Sequence, residues 1–370
     1  MHSYALHVGF PVGGDEISIT EGVVSRVEVQ SYSHSYSPAL AVTVDAAVNS
    51  GNSGGPAVDT ETGELIGIAF QGYAGSDVEN QGHLVPTPLI HHFLEGLERG
   101  EPALPTLGIC MQRLQSVAIR EKLEMTGGET GVMISKVSFN GAAYGTLKPG
   151  DVLLSVAGIS LANDGTIVFL GKRLSLISLL HTFFVGDTVA CRVKRDGEYI
   201  TVNVELSKHS HLVPRSQYDT EPPYYLVGGL LFQPLSLDFL RCWGSLKDAP
   251  THLMQEYHNG HPCESYTEVV VLTQILSDEI NIGYTWDECA LECITSVNDQ
   301  PIRNMHDLVR VVESVKKTER WLELTVASGA SREGNGMPVK VVLDCNKLQE
   351  ADERLMHNYR IPSDRSSHFV

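Results

Sequence analysis

A length of 370 residues predicts two or three domains, each large enough to bury a core, because single domains average about 150 residues. Hydrophobic residues make up 42% of the chain and, together with its 34 glycines, about 51%, near the globular average, which excludes collagen-like and disordered proteins. The 27 basic and 45 acidic residues give a net charge of −18, which repels phosphate backbones and anionic lipid. We therefore expect no nucleic-acid partner.

The charge and cysteine distributions narrow the class of protein further. Residues 1–98 contain one basic side chain, Arg26, against twelve acidic ones, so this quarter has either a solvated acidic face or a surface for a basic partner. The seven cysteines are odd in number and absent from the first hundred residues, which favours reduced thiols in a non-secreted protein. The N-terminus predicts no targeting leader, and the longest apolar stretch, 174–185, is too short to span a membrane.

The first hundred residues predict a β domain. Short β-branched runs punctuated by glycine, which predict strands, occur at Gly22–Val29, Ala41–Val44 and Glu64–Phe70. Apolar residues at helical spacing follow at 89–97, and the Gly/Pro-rich stretch 100–105 ends that helix. We place the first domain at 1–100.

The remaining chain predicts two similar modules. Residues 101–207 combine strands with one helix, Arg173 to Phe184, and a strand running into an Asp-Gly hairpin at Asp196 and Gly197. The polar, Pro-rich stretch 208–223 predicts a linker. A second unit at 224–346 has the same character, which suggests an internal duplication, and 347–370 predicts a charged, partly packed tail.

The sequence Asn-Ser-Gly-Asn-Ser-Gly-Gly-Pro at 49–56 suggests nucleophilic chemistry. Glycines at 51, 54 and 55 allow a tight turn in which the Ser53 hydroxyl points outward. Ser53 is then the candidate nucleophile, and the backbone N–H groups of Gly51 and Ser53 are the candidate oxyanion donors. The alternative is a glycine-rich loop with a structural role only.

The flanking residues resemble the serine-site region of the Deg/HtrA proteases, most closely the plant and algal organellar or nuclear members. This resemblance implies a mainly β fold, the C-terminal half of a trypsin-like double β-barrel followed by two PDZ-like α+β domains. The single departure is Ser50, where the family usually has proline. The segments that carry the resemblance are Val8–Gly14, Gly22–Arg26, Val44–Asn49, Leu65–Phe70, Leu107–Ile109, Leu147–Leu154, Asn281–Tyr284 and Asn298–Asn304.

The resemblance implies an ATP-independent serine endopeptidase of protein quality control that cleaves unfolded or damaged polypeptides. Two substrate-binding segments follow from it. The strand Gly67, Ile68, Ala69, Phe70 would pair with the substrate backbone, and a loop from Gln71 to Gly82 would line the side-chain pocket.

The catalytic base is expected to lie outside this chain. Trypsin-like triads run His, Asp, Ser, and the resemblance places the first two before Met1. Losing the base costs about a millionfold in turnover, so we expect the chain alone to be inactive. The alternative is a non-catalytic peptide-binding scaffold or chaperone-like pseudoprotease. The local candidates are expected in surface, loop or structural roles: His2, His7, His34, Asp15 and Asp45.

Peptide binding is expected in the first PDZ-like module, where Leu107, Gly108 and Ile109 would hold a peptide's C-terminal carboxylate or merely start a strand. In the second module, the segment 229–232 would do the same or dock within an oligomer. The resemblance implies trimers or larger assemblies in a chloroplast, mitochondrion or nucleus. We expect no metal and no cofactor, because the spacing of the His and Cys residues at 258–263, 289 and 293 does not fit a zinc site, and the stretch 165–173 does not fit a phosphate-binding loop.

Overall fold

The computed structural model describes residues 4–12, 16–33, 35–46, 48–49, 51–75, 78–169, 171–327 and 338–369. It divides into two compact units, Met1–His209 and Ser210–Val370. The prediction of a mainly β fold is confirmed. Among the described helices, none is long and apolar enough to cross a membrane.

The first unit begins with a closed antiparallel barrel of six strands, in the order β1-β2-β3-β6-β5-β4. Its core is built largely from alanine and valine, because facing strands leave little interior space. Helix α1 follows and ends at Gly100, whose left-handed conformation (φ 84°) makes the expected break. The elements are β1 (Tyr4–Gly9), β2 (Ser18–Ser31), β3 (Pro38–Val44), β4 (Pro56–Asp59), β5 (Leu65–Gly75), β6 (Val78–Pro86) and α1 (Thr87–Arg99).

A module with a five-strand sheet path, β15-β14-β10-β9-β8, completes the first unit, with the short β11 paired to β10. Asp196 and Gly197 both have positive φ (50° and 83°) and join β14 to β15, as the hairpin prediction required. The elements are β7 (Pro105–Thr106), β8 (Ile109–Arg113), α2 (Val117–Lys122), β9 (Val132–Val137), β10 (Val152–Val156), β11 (Ile159–Ser160), β12 (Thr166–Phe169), β13 (Lys172–Ser175), α3 (Leu176–Leu180), β14 (Thr188–Arg195), β15 (Glu198–Glu205) and β16 (Ser207–Lys208).

The helix predicted over 173–184 is shorter in the structure. Only α3 is helical, because the residues before it pair as the hairpin β12–β13. Ser175 caps the helix, its side chain accepting from the N–H of Ile177. After the helix, the Asp187 carboxylate accepts from the N–H of Phe184 and holds a turn.

That turn rests on helix α1 of the barrel. The His92 ring stacks on Phe184 with centroids 4.4 Å apart, and its Nε2 lies 2.9 Å from the carbonyl oxygen of Phe183. The Arg99 guanidinium covers the same Phe184 ring at 3.8 Å. These contacts attach the first module directly to the barrel.

The second unit has one sheet with the order β17-β18-β19-β20-β22-β23, and β21 pairs with β20. Its core cluster lies between this sheet and α7. The elements are β17 (Tyr225–Val227), β18 (Leu230–Pro234), α4 (Leu237–Leu240), α5 (Thr251–Asn259), β19 (Val270–Ile275), α6 (Trp286–Cys289), β20 (Glu292–Val297), β21 (Gln300–Pro301), α7 (Met305–Thr318), β22 (Trp321–Ala327), β23 (Pro338–Asp344) and α8 (Cys345–Tyr359).

Two boundaries differ from the sequence prediction. The predicted linker 208–223 already contributes buried residues at Leu212 and Val213, which pack into a core cluster of the second unit. The predicted tail 347–370 contains most of α8, whose Leu348, Ala351 and Leu355 are buried. Their spacing of three and four residues places them on one face, between charged residues that dominate the composition.

Candidate active site and peptide-binding grooves

The loop joining β3 to β4 presents Ser53 to solvent. Backbone hydrogen bonds hold this loop against β5: the N–H of Gly54 donates to the Ala69 carbonyl at 2.7 Å, and the N–H of Ala69 donates to the Gly55 carbonyl at 3.0 Å. Within the loop, the N–H of Gly55 donates to the Asn52 carbonyl at 3.0 Å. The serine is therefore exposed on a loop whose path is fixed by a barrel strand.

Two loop glycines are required by close backbone contacts. Gly51 has φ +98°, and a Cβ there would lie 2.7 Å from both the Phe10 oxygen and the Val12 nitrogen. A Cβ on Gly55 would lie 2.2 Å from the Val8 oxygen. The loop thus packs on the segment that follows β1, which accounts for glycine at these positions.

The predicted oxyanion donors differ from their neighbours in hydrogen bonding. The N–H groups of Asn52, Gly54 and Gly55 all have backbone acceptors. Those of Gly51 and Ser53 donate to no described residue, and the Ser53 hydroxyl likewise has no partner within the described ranges. Two unengaged N–H groups beside an exposed hydroxyl are what an oxyanion site needs.

Asn52, next to the serine, is a feature that the sequence did not single out. Its side chain is 1% exposed, and its amide oxygen and nitrogen find no hydrogen-bond partner among the residues described. A Cβ on Gly9 would lie 2.7 Å from that amide oxygen, so glycine is needed to admit it. A buried amide without hydrogen-bond partners costs about 1–3 kcal/mol of folding free energy. The buried position of the Asn52 side chain is therefore unfavourable for a polar group.

The placement of His7 on a surface or loop is wrong. His7 lies in β1 and is 1% exposed, because β1 is paired on one side with β2 and on the other with β4. Burial lowers the pKa of its imidazole, partly opposed by a backbone group of Asn52. Its Nε2 lies 3.1 Å from where a Gly55 Cβ would be, directly beneath the serine loop. His2, His34 and Asp15 lie outside the described residues, and Asp45 is exposed.

Most of the predicted substrate-pairing segment is already paired within the barrel. Gly67, Ile68 and Ala69 have partners on both sides, from β4 and the serine loop on one and from β6 on the other. They therefore have no free backbone edge for a substrate. Phe70 is the extra residue of a bulge between Ala69 and Gln71, and its ring stacks on Tyr32 at 4.3 Å.

From Phe70 onward, β5 has no β4 partner in the described chain, so the open edge begins at Phe70. The predicted pocket loop, 71–82, is the β5–β6 hairpin rather than a loop. Residues 76–77 of it lie outside the described residues.

The first module has an open strand edge beside its predicted carboxylate loop. Leu107 is buried in the core, Gly108 has φ +67°, and Ile109 begins β8. Strand β8 pairs with β9 on one side, and no described strand pairs with its other side. The Gly108 N–H donates to the Thr106 hydroxyl at 3.1 Å, so a peptide carboxylate would have to replace that hydroxyl.

Three family models match successive parts of the chain. A trypsin-like peptidase domain matches residues 3–68, which include Ser53, and two different PDZ domain models match 105–206 and 213–368. Protease Do-like 2, chloroplastic, of Arabidopsis thaliana is 35% identical over 97% of this chain and 57% of its own length. The chain belongs to the Deg/HtrA family of serine proteases with PDZ domains.

A second curated relative agrees with this Deg/HtrA membership. Putative protease Do-like 3, mitochondrial, of the same plant is 33% identical over 96% of this chain and 60% of its own length. The chain thus spans about three fifths of the curated relatives it matches. Among solved structures, the HtrA-type protease AlgW with a decapeptide matches at 24% identity over 56% of this chain and 60% of that chain, with a TM-score of 0.41.

The second PDZ module of this Deg/HtrA chain lacks the open edge of the first. The predicted segment 229–232 lies largely in β18, which β17 and β19 flank on both sides. The Gly228 N–H in the preceding turn donates to Asp352 Oδ1 at 2.6 Å, so a side chain of α8 already occupies it. A peptide therefore cannot join β18 in the way that β8 allows.

Asp352 makes the second unit's stability depend on pH. Burial raises the pKa of its carboxyl to about 6, opposed by the Gly228 N–H and Lys316. The raised pKa penalises the ionised form in the folded state, and acidification from pH 7 to 5 removes that penalty. We expect this group to add about 1.3 kcal/mol to the free energy of unfolding over that window, and Asp352→Asn to abolish the gain.

Urea unfolding followed by tryptophan fluorescence measures this, because all three tryptophans lie in the second unit. Asp278→Asn is the matched control. Arg354 lowers the pKa of Asp278, so the contribution of Asp278 to the free energy of unfolding is lost only at more acidic pH. The Asp278→Asn variant should therefore show the same rise in unfolding free energy between pH 7 and 5 as wild type. Equal rises in wild type and Asp352→Asn would refute the assignment.

Proposed function

We propose that this chain carries the nucleophile and substrate-binding part of an ATP-independent serine endopeptidase of protein quality control, with Ser53 as the nucleophile. The observation that supports it most strongly is the exposed Ser53 beside the unengaged N–H groups of Gly51 and Ser53. The loop is braced on β5 through Ala69, so this arrangement is preorganised rather than assembled on binding.

The reaction is acyl transfer. Ser53 Oγ attacks the peptide carbonyl carbon while a general base takes its proton, and the carbonyl oxygen becomes an anion held by the Gly51 and Ser53 N–H groups. The tetrahedral intermediate collapses, the amine leaves with a proton from the base, and water hydrolyses the acyl-serine. Since Ser53 has no hydrogen-bonded base among the described side chains, we assign the base to a histidine outside them.

The substrate backbone would run along the open edge that begins at Phe70, with Gln71 and Gly72 as the next pairing residues. An extended, unfolded polypeptide can present such a backbone, whereas a folded protein cannot, because its backbone groups are already paired. We therefore assign unfolded or damaged polypeptides as the substrate class.

The first module would bind peptide C-termini by strand addition to β8. No described strand pairs with its outer edge, and Leu107, Gly108 and Ile109 would supply backbone N–H groups to the carboxylate. The Thr106 hydroxyl holds the Gly108 N–H until a ligand arrives. The names of the relatives support our assignment of an organellar location, chloroplast or mitochondrion, and we also propose a homo-oligomer, trimeric or larger, for the full protein.

The test is hydrolysis of an unfolded substrate such as reduced casein by a form that carries a histidine- and aspartate-bearing barrel ahead of residue 1. We expect hydrolysis without ATP, and we expect Ser53→Ala to reduce it by about a millionfold. Hydrolysis that survives Ser53→Ala would contradict the proposal. Absence of hydrolysis together with peptide binding at β8 would favour the non-catalytic scaffold instead.

A further inference from the structure

The C-terminal segment 363–369 adds itself to the edge of the second unit's sheet. Helix α8 ends at Tyr359, and the next residue, Arg360, has a φ of 55° that turns the chain back. The Leu226 N–H then donates to the Asp364 carbonyl at 2.7 Å, and the Ser366 N–H donates to the Tyr224 carbonyl at 3.1 Å. This antiparallel pairing covers the outer side of β17.

Side chains hold the segment at both ends. The Tyr224 hydroxyl donates to the Ser363 carbonyl at 3.0 Å, and the Tyr224 N–H donates to the Ser366 hydroxyl at 3.2 Å. Phe369 packs against the core cluster and meets the His306 ring of α7 edge to face, with centroids 5.0 Å apart. An extended strand between a sheet edge and a helix, ending in an apolar side chain, is how many domains bind peptides.

An arginine provides the central charged contact. Arg365 donates to Glu313 of α7 at 2.8 Å and to the neighbouring Asp364 at 2.6 Å, and its guanidinium lies 5.1 Å from the centre of the Tyr225 ring. Glu313 also accepts from the Tyr225 hydroxyl at 2.8 Å. Arginine therefore meets an acid and an aromatic face together, a combination that lysine cannot reproduce with the same geometry.

The site beneath the segment is acidic. Without residues 363–369, two carboxylates, Glu313 and Asp352, remain near one cation, Lys316, at 3.3 and 3.9 Å. At neutral pH this leaves an excess negative charge beside β17. Arg365 offsets Glu313 as well as the segment's own Asp364, so the surface favours a segment that brings a cation over one that does not.

We propose that the edge of β17 is a binding site for extended peptide segments that carry an arginine, and that residues 363–369 are its resident, displaceable ligand. The segment makes two backbone bonds to the sheet edge and buries one apolar side chain only partly, so it opens at lower free energy than the core does. This proposal does not depend on the chemistry of Ser53.

Peptide binding to the full-length chain tests it. The probe is a fluorescent peptide with the sequence of residues 362–370, titrated into wild type, Arg365→Glu and the matched control Arg360→Glu, which changes an exposed arginine next to the segment. Arg365→Glu weakens the resident segment, so we expect it to bind the probe at least about tenfold more tightly than wild type or control do. A probe with the same Arg-to-Glu change should lose binding to every chain.

Equal probe affinity in all three chains, or none in any, would overturn the proposal. A rise in self-association of Arg365→Glu in sedimentation, suppressed by excess probe, would show that a second copy supplies the segment. Its absence, with tight probe binding, would assign the site to segments of other proteins.

Amide hydrogen exchange on the wild-type chain gives a second, mutation-free test. We expect the Leu226 and Ser366 N–H groups to exchange together, at least about tenfold faster than the N–H of Leu235, which donates at 2.8 Å to Val269 within the core of the same unit. Identical exchange of Leu226 and Leu235 would show that the segment opens only when the whole unit unfolds, and would contradict displacement.

Discussion

Replacing Gly51 with alanine is expected to lower substrate hydrolysis at least about a hundredfold in the form that carries the triad base. Gly51 has φ +98°, and the new Cβ would lie 2.7 Å from two backbone atoms, the Phe10 oxygen and the Val12 nitrogen. Backbone cannot swing aside as a flexible side chain does, so the loop must move. Its movement takes the Gly51 N–H away from the developing oxyanion. The measurement is kcat/KM on a fixed peptide substrate.

Gly54→Ala is the matched control. Gly54 has a similar φ of +90° and directly follows Ser53, but a Cβ there meets no atom within 4 Å. It carries the cost of left-handed backbone, about 1 kcal/mol, without a collision, so we expect at most about a tenfold loss. Equal losses in the two variants would show that backbone strain, and not the contact with the β1 segment, sets the loop geometry.

Ile302→Ala is expected to destabilise the second unit by about 2–5 kcal/mol, because Ile302 is 0% exposed within the core cluster and its removal leaves a cavity. Ile282→Ala makes the same chemical change at a residue that is 78% exposed, and should stay within about 0.5 kcal/mol of wild type. Urea unfolding followed by tryptophan fluorescence measures both variants. Similar losses would mean that the assigned core is wrong.

Local signals in the sequence were sufficient for much of the fold. The serine loop, the helix that stops at Gly100 and the Asp196–Gly197 hairpin each depend on backbone preferences of a few adjacent residues. The two PDZ modules were likewise predicted from short segments, and the family models match both. Features of this kind need no knowledge of distant contacts.

Features set by distant contacts could not be predicted in the same way. His7 is polar and was expected on the surface or in a loop, yet it is buried because β2 and β4 pair with both sides of β1. Residues 67–69 were predicted to lie in a strand, but whether the backbone edges of that strand were free depended on its pairing with β4 and β6. Pairing partners in a sheet are chosen by the whole topology, which a strand's own residues do not specify.

The second PDZ module also contains features that are set by distant contacts. Its glycine pair has the composition of a carboxylate-binding loop, but the Gly228 N–H is occupied by Asp352, more than a hundred residues away. The charged C-terminal stretch suggested a partly packed tail, and only the spacing of Leu348, Ala351 and Leu355 indicated the helix that places Asp352 there. Amphipathic spacing within a charged stretch was the signal available, and composition concealed it.

Covalent labelling shows whether Ser53 is the reactive nucleophile. The protein with a histidine- and aspartate-bearing barrel ahead of residue 1 is treated with a fluorophosphonate, digested and analysed by mass spectrometry. The reagent phosphonylates an activated serine with loss of fluoride, so we expect one adduct, on Ser53, that is absent from Ser53→Ala and forms much more slowly in Gly51→Ala. An unmodified Ser53 in a preparation that still cleaves casein would contradict it.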